Sequence, residues 1–238
     1  MTLDPGFCRG DVKYFTRTMK KIPLFIFPAG VIAAVGLWLF NSLNSRGGSL
    51  FEDSAGRLLA FGRLAGILAS LGILAQLLLV SRVKWGEPPF RPGRLISVHH
   101  FEGLLIPLVL LLHPVLVVMS SAVQNDLSCF AQCRDMLGWE DIPAAVAGML
   151  IVLAAVLMSL GPVKKRLSYK VWRGFHLPLY AALGLFIVHQ LELGGDINGN
   201  FYFAAVWYAL YGFVLLTLVW GRFINPFRLA RRQGRDGS

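Results

Sequence analysis

The sequence predicts an all-α fold: a polytopic membrane protein, built as a six-transmembrane-helix bundle with both termini cytoplasmic. Three observations predict it. Of the 238 residues, 55% are apolar and 15% are charged, against about a quarter charged in soluble domains. The apolar residues gather in six unbroken windows, and the basic residues gather in alternate connections between them. With a mean hydropathy of +0.60, composition excludes an ordinary soluble domain, a disordered chain and a disulfide scaffold.

The windows are 22–42, 58–81, 96–120, 142–161, 174–192 and 201–221. Each approaches or exceeds the roughly 20 residues that carry a helix across about 30 Å of hydrocarbon. They are continuous and lack the period-two alternation of barrel strands, which leaves helices as the spanning element. The organisation is a basic cytoplasmic segment at 1–21, a six-helix domain at 22–221 and a short basic cytoplasmic tail at 222–238. The first window is too long for a signal-peptide core and reads as an uncleaved anchor.

Charge orients the bundle. Nineteen Lys and Arg lie in the N-terminal segment, the second and fourth connections and the tail, and only four in the other connections (Arg46, Arg57, Arg63 and Arg134). The positive-inside rule then places both termini in the cytoplasm, with spans one, three and five running outward. The net charge of +10 is thereby read as topology and attraction to anionic membrane lipid, with no nucleic acid as partner. Cys8 falls on the inner side. Cys129 and Cys133 share the long outer loop, either as a disulfide or as two free thiols. No CxxCH is present, so any heme would be bound without thioether links.

All five histidines fall within spans: His99, His100 and His113 in span three, His176 and His189 in span five. An imidazole at membrane depth needs a partner, which makes it a candidate functional group. The two spans run the same way. Each has a His near its inner end and another 13 or 14 residues later, about 20 Å along a helix. His99 or His100 therefore lies level with His176, and His113 level with His189. Two facing imidazoles at two depths are what two six-coordinate heme irons would need. Fourteen residues leave about 40° of helical offset and thirteen about 140°, so His99 shares a face with His113 and His100 does not. Span five has only the 13-residue spacing, and Pro178 predicts a local distortion there.

The stretches HHFEGLLIPLVLLLHPVLVV and LSYKVWRGFHLPLYAALGLFIVHQL resemble the ferric reductase-like transmembrane domain, the heme-bearing membrane part of ferric reductases and NADPH oxidases. The resemblance covers nearly the whole chain and includes the lead-in Tyr169, Trp172 and His176. It implies two non-covalent b-type hemes between spans three and five, with cofactor-binding, iron-ligating residues His99 and His176 for the inner heme and His113 and His189 for the outer. It also implies electron flow from a cytoplasmic flavin to the inner heme, the outer heme and an acceptor outside: oxygen, ferric iron or a partner protein. Arg63, in the outer part of span two, is either a snorkelling residue or, as the resemblance suggests, a catalytic cation beside the outer heme. Arg94, Lys170 and Arg173 are candidates for the inner propionates, Arg173 foremost, or members of a solvated basic loop.

Seventeen residues follow Gly221, too few for a flavin and nicotinamide domain, and no GxGxxG turn is present. The expectation is an oxidoreductase module of a bacterial inner membrane, served by FAD or FMN on a missing or separate dehydrogenase. The alternatives are a heme subunit fed by quinol or a separate flavoprotein for a periplasmic reductase, and a non-redox transporter with a histidine proton relay.

Overall fold

The computed structural model describes residues 22–45, 48–81 and 92–221, with side chains from Phe25 in the first segment and Ile96 in the third. The N-terminal segment, the basic 82–91 connection, the Arg94 side chain and the tail, with the expectations that rest on them, lie outside the described residues. The described chain is helical: α1 Ile22–Leu43, α2 Ser54–Val80, α3 Pro92–Gln124, α4 Cys129–Met136, α5 Ile142–Leu157, α6 Gly161–Lys164, α7 Tyr169–His176, α8 Leu179–Leu193, α9 Gly195–Gly199 and α10 Phe201–Val219.

Five stretches are long and apolar enough to cross a membrane: Phe25–Leu43, Ser54–Val80, Ile96–Gln124, Tyr169–Leu193 and Phe201–Val219. The chain is a multi-pass integral membrane protein. The expected fourth span is shorter than the window suggested, because α5 stops at Leu157. Pro162 explains the stop: it has no amide to donate, and its ring would collide with the Met158 carbonyl in a continuing helix. The fifth window is also divided. Pro178 offers Gly174 no amide, and the helix is interrupted between α7 and α8, where Leu177 and Pro178 keep helical backbone angles.

The helices alternate in direction. At one end, the Asn41 end, Ser120 donates to the Ala55 carbonyl at 2.7 Å, Asn41 donates to Asp196 at 3.0 Å and Asn200 donates to Asn41 at 2.6 Å. At the other, the Gln76 end, Gln76 donates to the His99 carbonyl at 3.0 Å and Trp172 donates to Ser159 at 3.2 Å. The short α5 runs between the same two ends: Asp141 before it lies within electrostatic reach of His189, and Ser159 after it holds Trp172. Caps set the helix starts. Asp53 accepts from the Gly56 amide at 2.5 Å, and Asn200 accepts from the Tyr202 and Phe203 amides, contacts typically worth about 1 kcal/mol each.

Helix α2 lies at the centre. Ala60, Leu71 and Leu74 pack with Ala34 and Trp38 of α1 and with Phe203, Trp207, Leu210 and Val214 of α10. Ala69 joins a second cluster with Leu110 of α3, Val152 of α5 and Ala182 and Phe186 of α8. Small residues on α2 let α3 approach closely: a Cβ at Gly62 would fall 3.0 Å from Val117, and one at Gly72 2.8 Å from Ile106. Close backbone approach is how membrane helices gain packing energy where lipid removes the hydrophobic driving force. The opposite face of α3 exposes Leu104, Leu108, Leu111, Leu112 and Val115, as a lipid-facing surface should.

Candidate functional site: two histidine pairs in the bundle

The alternation of helix direction puts α3 parallel to the α7–α8 unit, and the four histidines meet as two pairs. Near the Asn41 end, the His113 and His189 rings lie 6.2 Å apart, centre to centre, at 72°. Near the Gln76 end, His99 lies within electrostatic reach of His176. His100 is exposed, its ring 6.1 Å from that of His99. His99 thus lies toward α7, with His100 exposed beside it.

The two pairs are held differently. His113 Nδ1 shares a 2.8 Å hydrogen bond with the Gly62 carbonyl. A carbonyl only accepts, so Nδ1 carries the proton and Nε2 keeps its lone pair. Gly66, one turn on, faces the same ring: a Cβ there would lie 2.9 Å from His113 Nδ1. Gly62 and Gly66 are therefore both a packing step and the cradle of this imidazole. His189 Nδ1 is buried without a hydrogen-bond partner, as is His99 Nδ1, whereas the His176 ring lies within reach of the Trp172 backbone. His176 closes α7, and the Trp172 ring lies 4.2 Å from it. Lys164 sits 4.9 Å above that same indole, within electrostatic reach of both His99 and His176. Arg173 and Lys170 are exposed.

Arg63 is half-buried and lies beside the connection from α8 to α10. A Cβ at Gly195 would fall 2.8 Å from its Nη2, and Asp196 is within its electrostatic reach. Asp196 is buried, 5% exposed. Burial raises its carboxyl above the usual range, and the Asn41 hydrogen bond and Arg63 offset part of that. Arg57 is exposed and donates to the Phe51 carbonyl at 3.2 Å. Cys129 and Cys133 are free, exposed thiols on α4.

The pattern of histidines did not reveal their supports. Lys164, Gly66, Asp196 and the polar side chains of α2 act across helices, and sequence spacing carries no signal for that. Gln76 also donates to Glu102 at 3.3 Å, one turn beyond His99. Gly62 and Gly66 form a GxxxG step, a spacing that signals close helix packing but not which ring it meets.

The family described as "Ferric reductase like transmembrane component" matches residues 65–187, just over half of the chain. The chain belongs to this family. His99, His113 and His176 fall inside the matched range and His189 two residues beyond it. Comparison with curated proteins and with solved structures gives no match. The ferric reductase-like family is one of oxidoreductase membrane domains, and membership implies transmembrane electron transfer in general terms.

The residues present suit a porphyrin-bound iron. Among the described residues no three His, Cys, Asp or Glu gather as an all-protein metal site. A porphyrin supplies four nitrogens and needs only two from the protein. An imidazole nitrogen lies about 2 Å from a bound first-row metal, so two imidazoles that shared one iron would have ring centres about 6 Å apart. The His113–His189 separation of 6.2 Å matches that spacing.

Proposed function

We propose that this ferric reductase-like domain conducts electrons across the membrane through two b-type hemes. The observation that carries the reading is the His113–His189 pair: ring centres 6.2 Å apart, with His113 Nδ1 engaged by the Gly62 carbonyl and Nε2 left free to ligate. Orientation of a ligating imidazole through its second nitrogen is the usual support of a metal-bound histidine. His113 and His189 would hold the outer heme, His99 and His176 the inner one. When bound, such bis-imidazole irons exchange single electrons without opening a coordination position.

The remaining roles belong to the chain. Gly66 leaves room for the His113 ring. Trp172 packs on His176 and keeps its ring from turning. Lys164 and Arg173 supply positive charge at the inner end, where a propionate would be neutralised. The short α5 joins the same two ends as its neighbours, which supports six crossings. The charge asymmetry of nineteen against four basic residues supports cytoplasmic termini; the membrane proposed is a bacterial inner membrane.

That basic inner face draws an anionic donor, a flavin or nicotinamide on a separate dehydrogenase; quinol is the other donor class consistent with a site in the membrane. On the outer side Arg63 is partly offset by Asp196, so the acceptor is oxygen or a partner protein sooner than an anionic ferric chelate. The test is direct. Purified protein should be red, with split bis-imidazole b-heme bands, and pyridine hemochrome analysis should give two hemes per chain. One heme per chain would remove the two-level wire. A colourless preparation grown with ample heme would overturn the reading in favour of a histidine proton relay.

A further inference from the structure

The two outer histidines are oriented by different means. His113 is held by its own ring hydrogen bond to the Gly62 carbonyl at 2.8 Å. His189 Nδ1 is buried with no partner, so the rotation of α8 must supply what a ring hydrogen bond supplies to His113. The thirteen residues between His176 and His189 leave about 140° of mismatch on an ideal continuous helix, and the helical pattern is interrupted between His176 and Leu179, so the position of His176 does not by itself set the azimuth of His189.

The next residue, Gln190, supplies the missing constraint. Its Oε1 accepts from Trp207 Nε1 at 2.9 Å and from the Tyr211 hydroxyl at 2.9 Å, both on α10. Its Nε2 donates to Ser70 Oγ on α2 at 3.0 Å. Trp207, Tyr211 and Ser70 are 3%, 8% and 9% exposed. Gln190 itself is half-buried, and a carboxamide at membrane depth costs free energy in rotational settings of α8 that leave it unsatisfied. A turn of one residue, about 100°, would break all three bonds and carry His189 away from His113.

We infer that Gln190 is the positioning residue of the outer heme: its three-way hydrogen bond to α2 and α10 sets the azimuth of α8 and so aims the His189 imidazole. The inference rests on the two-heme reading. It assigns Gln190 no contact with the reacting iron; its effect passes through the backbone of α8.

The test compares Gln190→Met, which keeps length and approximate volume but loses all three hydrogen bonds, with Tyr211→Phe, which removes only the hydroxyl that bonds Gln190 and also reaches Ser70. The readouts are the low-spin electron paramagnetic resonance signals of the two hemes, their reduction potentials and the rate of heme loss to a scavenging apoprotein. In Gln190→Met the outer-heme signal should shift and its heme should leave on the order of 10-fold faster, the scale usual for lost second-sphere support. The inner-heme signal should stay in place. Tyr211→Phe should move the outer signal in the same direction by less, and it decides the matter alone if Gln190→Met does not fold. An outer heme unchanged in both variants would overturn the inference, as would equal shifts of both hemes, which report general loosening. Wild-type protein without two hemes would instead overturn the functional reading beneath it.

Discussion

The two histidine pairs share a ligand type and differ in everything around it. The outer pair is enclosed. A backbone carbonyl holds one ring, a glycine cradles it, and the connection through Gly195 and Asp196 covers the nearby Arg63. Among the described residues the inner pair is the less enclosed of the two. Its supports are an indole at 4.2 Å and a lysine above that indole, and its neighbours His100, Lys170 and Arg173 are exposed. The difference teaches how such a wire divides its labour. On the proposed reading, the inner end would meet a donor and is the more exposed and positive of the two, and the outer end would hold its cofactor in rigid packing.

The largest effects should come from the ligands themselves. His113→Ala and His189→Ala should each remove the outer heme and leave the inner one, halving the hemochrome yield. His99→Ala should do the converse, and His100→Ala should leave both. Loss of the inner heme in His100→Ala with retention in His99→Ala would exchange their roles.

Gly66→Ala probes the enclosure next. The new methyl would lie 2.9 Å from His113 Nδ1, and overpacking of this kind costs about 1–3 kcal/mol. The outer heme should bind more weakly and shift its spectrum, with the inner heme untouched. Equal loss of both would mean that the inner pair depends on the same packing.

Arg63→Ala should leave both spectra nearly intact and slow reoxidation from outside several-fold, about 1 kcal/mol in barrier. Loss of the outer heme instead would make Arg63 structural, and no change in either would return it to snorkelling.

The smallest effect concerns Asp196. Burial raises its carboxyl in the folded state, so its contribution to stability is present below the ordinary carboxylate range and is lost as pH rises through the raised value. Wild-type thermal stability should decline modestly over that window. Asp196→Asn should flatten the decline, and an unchanged slope would assign it to another group.

Much of this was legible in the residues alone. Helix positions followed from apolar runs, because a segment in lipid must satisfy its backbone internally. α1 begins and α10 begins within the expected windows. Pro178 announced a break because a missing amide is local. The same chemistry at Pro162 shortened α5, a stop that hydropathy averaged over. The depth pairing of His99 with His176 and of His113 with His189 followed from helical rise, an additive property along one chain.

What the sequence by itself determined is therefore whatever depends on one helix at a time: span positions, the depth of each histidine and the side on which basic residues gather. Only the tertiary structure decided which surfaces meet. Gly62 and Gly66 needed α3 against α2 before a carbonyl and a cradle appeared around His113. Gln190 needed Ser70, Trp207 and Tyr211 from two other helices before it had a partner. Arg63 needed the α9 connection to bring Asp196 within reach. The reason is physical. Rise and hydropathy accumulate along a chain, whereas the rotation of one helix against another is set by close packing and hydrogen bonds between residues far apart in sequence.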